Sequence, residues 1–154
     1  MSLSFRGRLA LAATAKRLPG IMAADPVAGL PDGLHVAVVG SGSPIPDPKR
    51  GNPCVAVIAG GKVWIVDAGE GASETLNRMN IAPGRIAAVL LTHFHSDHID
   101  GLSPVLLQHW ATASGRAPLD LHGPAGVERI AQGLAETYAL DNSYRVAHHG
   151  AATL

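Results

Sequence analysis

The segment Arg85–Leu102, RIAAVLLTHFHSDHIDGL, constrains the fold more than any other part of this chain. An apolar run, RIAAVLL, reads as a strand and leads directly into three histidines and an aspartate within six residues. The period then changes: Leu102, Val105, Leu106 and His109 stand at i, i+3, i+4 and i+7, one face of a helix. A strand that feeds a polar turn and then a helix belongs in an α/β architecture, with its polar residues at the end of a sheet.

The flanking segments agree. LHVAVVG is a short strand that ends on Gly40, and SGSPIPDPKRGNP, with its prolines, is an irregular loop. VAVIAGGKVWIVD is predicted as two strands joined at Gly60-Gly61, a two-residue turn that tolerates positive φ. Trp64 and Val66 share one face of the second strand; Val63, Ile65 and Asp67 share the other. After Gly69-Glu70-Gly71 the pattern ASETLNRMN is helical and stops at Pro83-Gly84. LDLHG is a brief strand, and GVERIAQGLAETYAL is a helix of about four turns. A meander followed by alternating strand and helix predicts a mixed α/β sheet with helices on its outer face.

The first 33 residues read differently. Pro19, Gly20, Pro26, Gly29, Pro31 and Gly33 mark a linker, so the domain is expected to begin at Leu34 and run to residue 154. Ahead of the linker, Leu9–Ala15 is apolar between Arg6, Arg8 and the pair Lys16-Arg17, far too short to cross a bilayer. An amphipathic helical arm, lying on the domain or on a membrane surface, is the reading preferred over a secretory leader, because the paired cations interrupt the apolar region. The expected location is the cytoplasm.

Composition narrows the function. At 47% hydrophobic but only 4% aromatic, the core should be aliphatic. Lys plus Arg equals Asp plus Glu, 12 each, whereas proteins that grip long nucleic acids carry a basic excess. The single cysteine, Cys54, excludes an internal disulfide and sits in an apolar run as a small core residue.

The chemistry lies in Thr92-His93-Phe94-His95-Ser96-Asp97-His98. At a strand end His93 and His95 project to one side while Phe94 packs on the other. Asp97 and His98 follow where the loop turns into a helix starting near Ile99, a turn that aims them at the same space. Imidazole and carboxylate without thiolate suit Zn(II), Fe(II) or Mn(II) in a reactive site rather than a structural one. Four ligands from one short loop crowd a single ion, so two ions are easier: His93 and His95 on one, Asp97 and His98 on the other. Four polar residues clustered on a surface loop by chance is the plain alternative, and the strand before and helix after argue against it.

Other features carry less. Gly40 and Gly42 follow a strand, but Pro44, Pro46 and Pro48 forbid the helix a dinucleotide site needs. His109, on an apolar helical face, reads as a core residue. His122 beside Gly123-Pro124 suits a turn or the rim of the site, and Lys49 and Arg50 a solvated loop.

THFHSDH resembles the HxHxDH signature of the metallo-β-lactamase superfamily. VVGSGSPIPDPKRGNPCVAV, WIVDAGEGASETL, RIAAVLLTHFHSDHIDGL and LHGPAGVERI are similar, in that order, to ribonuclease Z and its arylsulfatase-like and phosphodiesterase-like relatives, over residues 34 to 131. The resemblance implies an αβ/βα sandwich with a metal site at its strand ends. It also implies two metals, usually zinc, a bridging hydroxide, and hydrolysis of phosphodiesters or related esters. By the same match Asp97 ligates the second metal and orients the attacking water. Asp67, in VDAG, supports the ligands or caps the following helix.

The chain departs from the family in its second half, where the family's further histidines and bridging aspartate belong. His148 and His149 could be read as the missing ligand, but their flanks do not match the family's later motif, and the preferred reading is substrate-side or surface histidines. The expectation is therefore an N-terminal half sandwich with one sheet face open: either the chain is truncated or a second copy of it covers that face. Ribonuclease Z proteins hold transfer RNA with a Gly-rich basic arm; no such segment is visible here, which favours a smaller ester substrate. A metal-dependent oxygenase or thioester hydrolase is the alternative within enzymes. A catalytically inert metal-binding module that dimerises is the alternative outside them.

Overall fold

A computed structural model describes residues 25–112 and 118–149; the helical arm expected before them lies outside the described residues. Strands β1 (His35–Gly40), β2 (Cys54–Ala59) and β3 (Lys62–Val66) form the expected antiparallel meander. Gly60 and Gly61 turn β2 into β3 with φ of 54° and 73°, left-handed values that a side chain would strain. Helix α1 (Ala72–Arg78) and a 3-10 turn, Pro83–Arg85, lead to β4 (Ile86–Leu90), parallel to β3. The short α2 (Ser96–Ile99) and α3 (Leu102–Thr112) carry the chain to β5 (Asp120–His122), parallel to β4. Strand order is β1-β2-β3-β4-β5, and both parallel steps pass through helices, as parallel pairing requires. Helices α4 (Val127–Thr137) and α5 (Ala139–His149) follow.

Register sorts the residues into faces. Ala37, Ala56, Ile65, Val89 and Leu121 are successive neighbours across the sheet, and Ile65 and Val89 are fully buried there. Against that face lie Leu76 of α1 with Leu102 and Val105 of α3, in a core that is aliphatic as expected. His109 is buried in α3 and its Nδ1–H donates to the Pro83 carbonyl at 3.1 Å, which makes it a core histidine.

The opposite face carries two apolar rows. One runs Val36, Val57, Trp64, Ala88 and ends at Asp120; the other runs Val38, Val55, Val66, Leu90 and ends at His122. At the edge strand Val36 is 62% and Val38 60% exposed. Helices therefore cover one side of the sheet among the described residues.

Two features differ from the sequence reading. The helix predicted through Leu140 breaks at Tyr138, and a further helix, α5, follows where the sequence pattern predicts no element. Its local support is the ion pair Arg145–Asp141 at 2.7 Å, one turn apart, and Arg145 also lies over the Trp110 ring at 5.8 Å. Within the stretch read as a linker, Val27 is buried in the core and the Asp25 carboxylate accepts from Arg85 Nε at 2.7 Å. Burial works to raise the Asp25 pKa, but the Arg85 guanidinium and the backbone N–H groups of Val27 and Ala28 outweigh it and hold it below the usual range.

Candidate metal centre

Loops from three parts of the chain meet beyond the C-terminal ends of β3 and β4, the usual place for a site in an open sheet with parallel strands. Backbone bonds tie them together. Ala68 N–H donates to the His98 carbonyl at 2.8 Å, and Gly101 N–H returns to the Ala68 carbonyl at 2.9 Å. Gly69 N–H reaches the Pro53 carbonyl at 3.1 Å, and Asn52 N–H the Glu70 carbonyl at 2.9 Å. The DAGEG loop is thus clamped between the proline-rich loop and the His-rich loop. The approach is so close that a Cβ on Gly69 would stand 2.1 Å from the Asp97 carbonyl oxygen.

Strand β4 stops at Leu90, so His93 and His95 lie beyond the strand rather than on its last residues. Asp97 and His98 are inside the turn of α2, which begins at Ser96, three residues earlier than the expected start near Ile99. The four side chains nevertheless lie beside one another. His93 Nε2 and His95 Nδ1 stand 3.0 Å apart, and His98 Nε2 is 3.7 Å from Asp97 Oδ2. The His93 ring centre lies 4.1 Å from that of His98 and 4.7 Å from that of His95.

Asp67 sits behind this group. It holds a left-handed backbone conformation, φ 58°, unusual for a residue other than glycine. Its buried carboxylate accepts from Thr92 N–H at 2.8 Å, from the Thr92 hydroxyl at 2.8 Å and from His98 Nδ1–H at 2.8 Å. An ionised carboxylate can only accept, so His98 Nδ1 is the donor to Asp67, and its Nε2 is left on the side of Asp97.

The donor set suits divalent metal in pairs. Two donors on a tetrahedral zinc with bonds of 2.0–2.1 Å are separated by about 3.4 Å, and the distances of 3.0 and 3.7 Å bracket that value. Among the described residues no group of three His, Cys, Asp or Glu side chains is arranged around one point. The closest nitrogen and oxygen approaches are His93 to His95 and His98 to Asp97, while the His93 ring also packs against that of His98. Asp97 is buried, His93 and His98 are half-buried, and His95 is exposed, so the group opens to solvent on the His95 side. Cys54 takes no part: burial, with the Asp67 charge, pushes its thiol up to about 12, and it stays a neutral core residue.

The remaining candidates lie elsewhere. His122 ends β5, exposed, and its carbonyl accepts from Leu91 N–H at 2.7 Å, just before the His-rich loop. His148 and His149 close α5, whose Tyr138-proximal end, with Asp141 and Asn142, lines a cavity of about 480 Å³ beside Trp110 of α3. Thr92 is the site residue to which the sequence reading assigns no role. Its tie to Asp67 spans 25 positions and has no local signal.

The sheet and its neighbours define the class. A metallo-β-lactamase fold protein from Bacillus subtilis superposes with a TM-score of 0.56 at 24% identity, covering 66% of this chain and 41% of that one. Human tRNase Z, short form, superposes with a TM-score of 0.60 at 30% identity, covering 70% of this chain and 39% of that one. This is the metallo-β-lactamase fold, in an arrangement similar to the N-terminal portion of ribonuclease Z. In sequence the chain is 41% identical over 118 residues to a ribonuclease Z of Mycobacterium marinum, across 75% of this chain and 42% of the relative. The chain belongs to the family described as Anti-Pycsar protein Apyc1, which it matches over residues 34–127. It spans about two fifths of the length of the curated relatives it matches. Among the described residues no helix is long and apolar enough to cross a membrane.

Proposed function

We propose that this chain carries the metal-binding half-site of a hydrolase that cleaves a phosphodiester or related ester. The observation that carries the reading is the convergence of His93, His95, Asp97 and His98 in two donor pairs, with Asp67 behind them. In this reading His93 and His95 hold one ion and Asp97 and His98 the other. Zinc is the first choice, and Fe(II) and Mn(II) suit the same donors. A bound divalent ion lowers the pKa of a coordinated water to about 7 and draws charge from the substrate oxygens. The chain's own residues do the rest. Asp67 orients His98, Asp97 orients the attacking water, and exposed His95 marks the side from which substrate enters.

The ester class rests on the relatives, whose printed names, ribonuclease Z and tRNase Z, describe enzymes that cut RNA. A neutral chain with no basic excess favours a smaller phosphodiester over transfer RNA. The two apolar rows on the open sheet face support a second copy of the chain as cover, and Val38→Lys at the exposed edge should then shift sedimentation from dimer to monomer.

The test is hydrolysis of bis(p-nitrophenyl) phosphate by chain loaded with zinc or manganese. Turnover should vanish with chelator, return with metal, and fall at least about a hundredfold in Asp97→Asn, the scale of losing one preorganised group at a reacting centre. Turnover indifferent to chelator, or unchanged in Asp97→Asn, would refute the assignment.

A further inference from the structure

We propose that the Thr92 hydroxyl is a positioning group through which the one carboxylate of Asp67 sets the tautomer of a histidine in each donor pair. The inference rests on the reading of those pairs as metal ligands, but its geometry is made by the chain's own side chains. Thr92 Oγ1 lies 2.8 Å from Asp67 Oδ2, 3.1 Å from Asp67 Oδ1 and 3.0 Å from His93 Nδ1. A hydroxyl has one hydrogen to give and lone pairs to offer. The carboxylate can only accept, so that hydrogen points to Asp67, and the hydroxyl can serve His93 only as an acceptor. His93 must then carry its proton on Nδ1, which leaves the Nε2 lone pair facing His95 Nδ1 at 3.0 Å.

His98 reaches the same state by a direct route, Nδ1–H to Asp67 Oδ2 at 2.8 Å. Two histidines that belong to different pairs therefore share one source of order. His93 is reached through a hydroxyl and His98 without one. Thr92 is itself pinned, since its backbone N–H donates to Asp67 Oδ1 at 2.8 Å and its branched Cβ restricts χ1. A group placed behind metal ligands in this way fixes ring orientation and lone-pair direction, and the ligands then need no rearrangement when an ion arrives.

The experiment uses the full chain labelled with ¹⁵N-histidine, free of metal and above the pH range of imidazole titration. Two-bond ¹H–¹⁵N correlations distinguish Nδ1–H from Nε2–H rings. Wild type should show His93 and His98 both as Nδ1–H. Thr92→Val, nearly isosteric, should move His93 toward Nε2–H and leave His98 unchanged, whereas Thr92→Ser should keep the wild-type pattern. Zinc titration by calorimetry should show about a 10- to 100-fold loss of affinity in Thr92→Val, the usual cost of removing a partner behind a ligand, and recovery in Thr92→Ser. His93 as Nε2–H in wild type overturns the proposal even if Thr92→Val does not fold. So does a folded Thr92→Val that matches wild type in both measurements. A wild-type chain with the Nδ1–H pattern that takes up no zinc leaves the relay standing and removes the metal reading instead.

Discussion

The double replacement His93→Ala, His95→Ala should weaken zinc binding by at least about a thousandfold, because losing even one partner behind a ligand costs about 10- to 100-fold. The effect should be this large because the pair acts as a chelate. His93 Nε2 and His95 Nδ1 already stand 3.0 Å apart, so a second bond forms with little further loss of freedom once the first is made. Removing both imidazoles removes the whole pair. The other pair, Asp97 and His98, is held by the direct Asp67–His98 bond and by the Ala68–His98 backbone bond, neither of which passes through His93 or His95, and it should survive. Elemental analysis after dialysis, with the His98→Ala variant alongside, reads the number of ions each pair retains. Wild-type stoichiometry in the double variant would show that the metal sits elsewhere.

The second large effect is structural. Gly101→Ala should cost more than about 3 kcal/mol of stability, in the tail reserved for changes the structure cannot absorb. A Cβ there would lie 2.0 Å from the Gly69 carbonyl oxygen and 2.8 Å from its carbon. Both are backbone atoms in the clamp that carries Asp67 and Asp97, so neither can retreat without breaking hydrogen bonds on either side. The melting temperature should fall on the order of 10 °C. Gly133→Ala is the matched control: it lies inside α4 with nothing within 4 Å of its added carbon, and it should be neutral or stabilising by up to about 1 kcal/mol. Equal melting temperatures for the two variants would contradict the close packing described here.

Much of the fold is legible without coordinates because its signals are local. The Gly60-Gly61 turn, the alternation in β3 and the helical stripe from Leu102 to His109 each lie within a few residues. The helix α5 is not legible in this way: it is polar along much of its length, and one of its contacts, Arg145 over the Trp110 ring, reaches more than thirty positions back. Its boundary with α4 at Tyr138 is equally invisible, since a helical period runs through the break.

The site divides along the same line. That His93, His95, Asp97 and His98 lie near one another follows from their spacing in one loop, because a short loop confines its side chains to one small volume. Which nitrogen of each ring faces its neighbour does not follow from spacing. It depends on Asp67 and Thr92, 25 positions apart, brought into contact because β3 and β4 are parallel neighbours that end at the same level. Hydrogen bonds between distant segments exist only after the chain has folded. The proximity of the four side chains is therefore written in the linear order of residues, and their orientation in the packing of the loops around them.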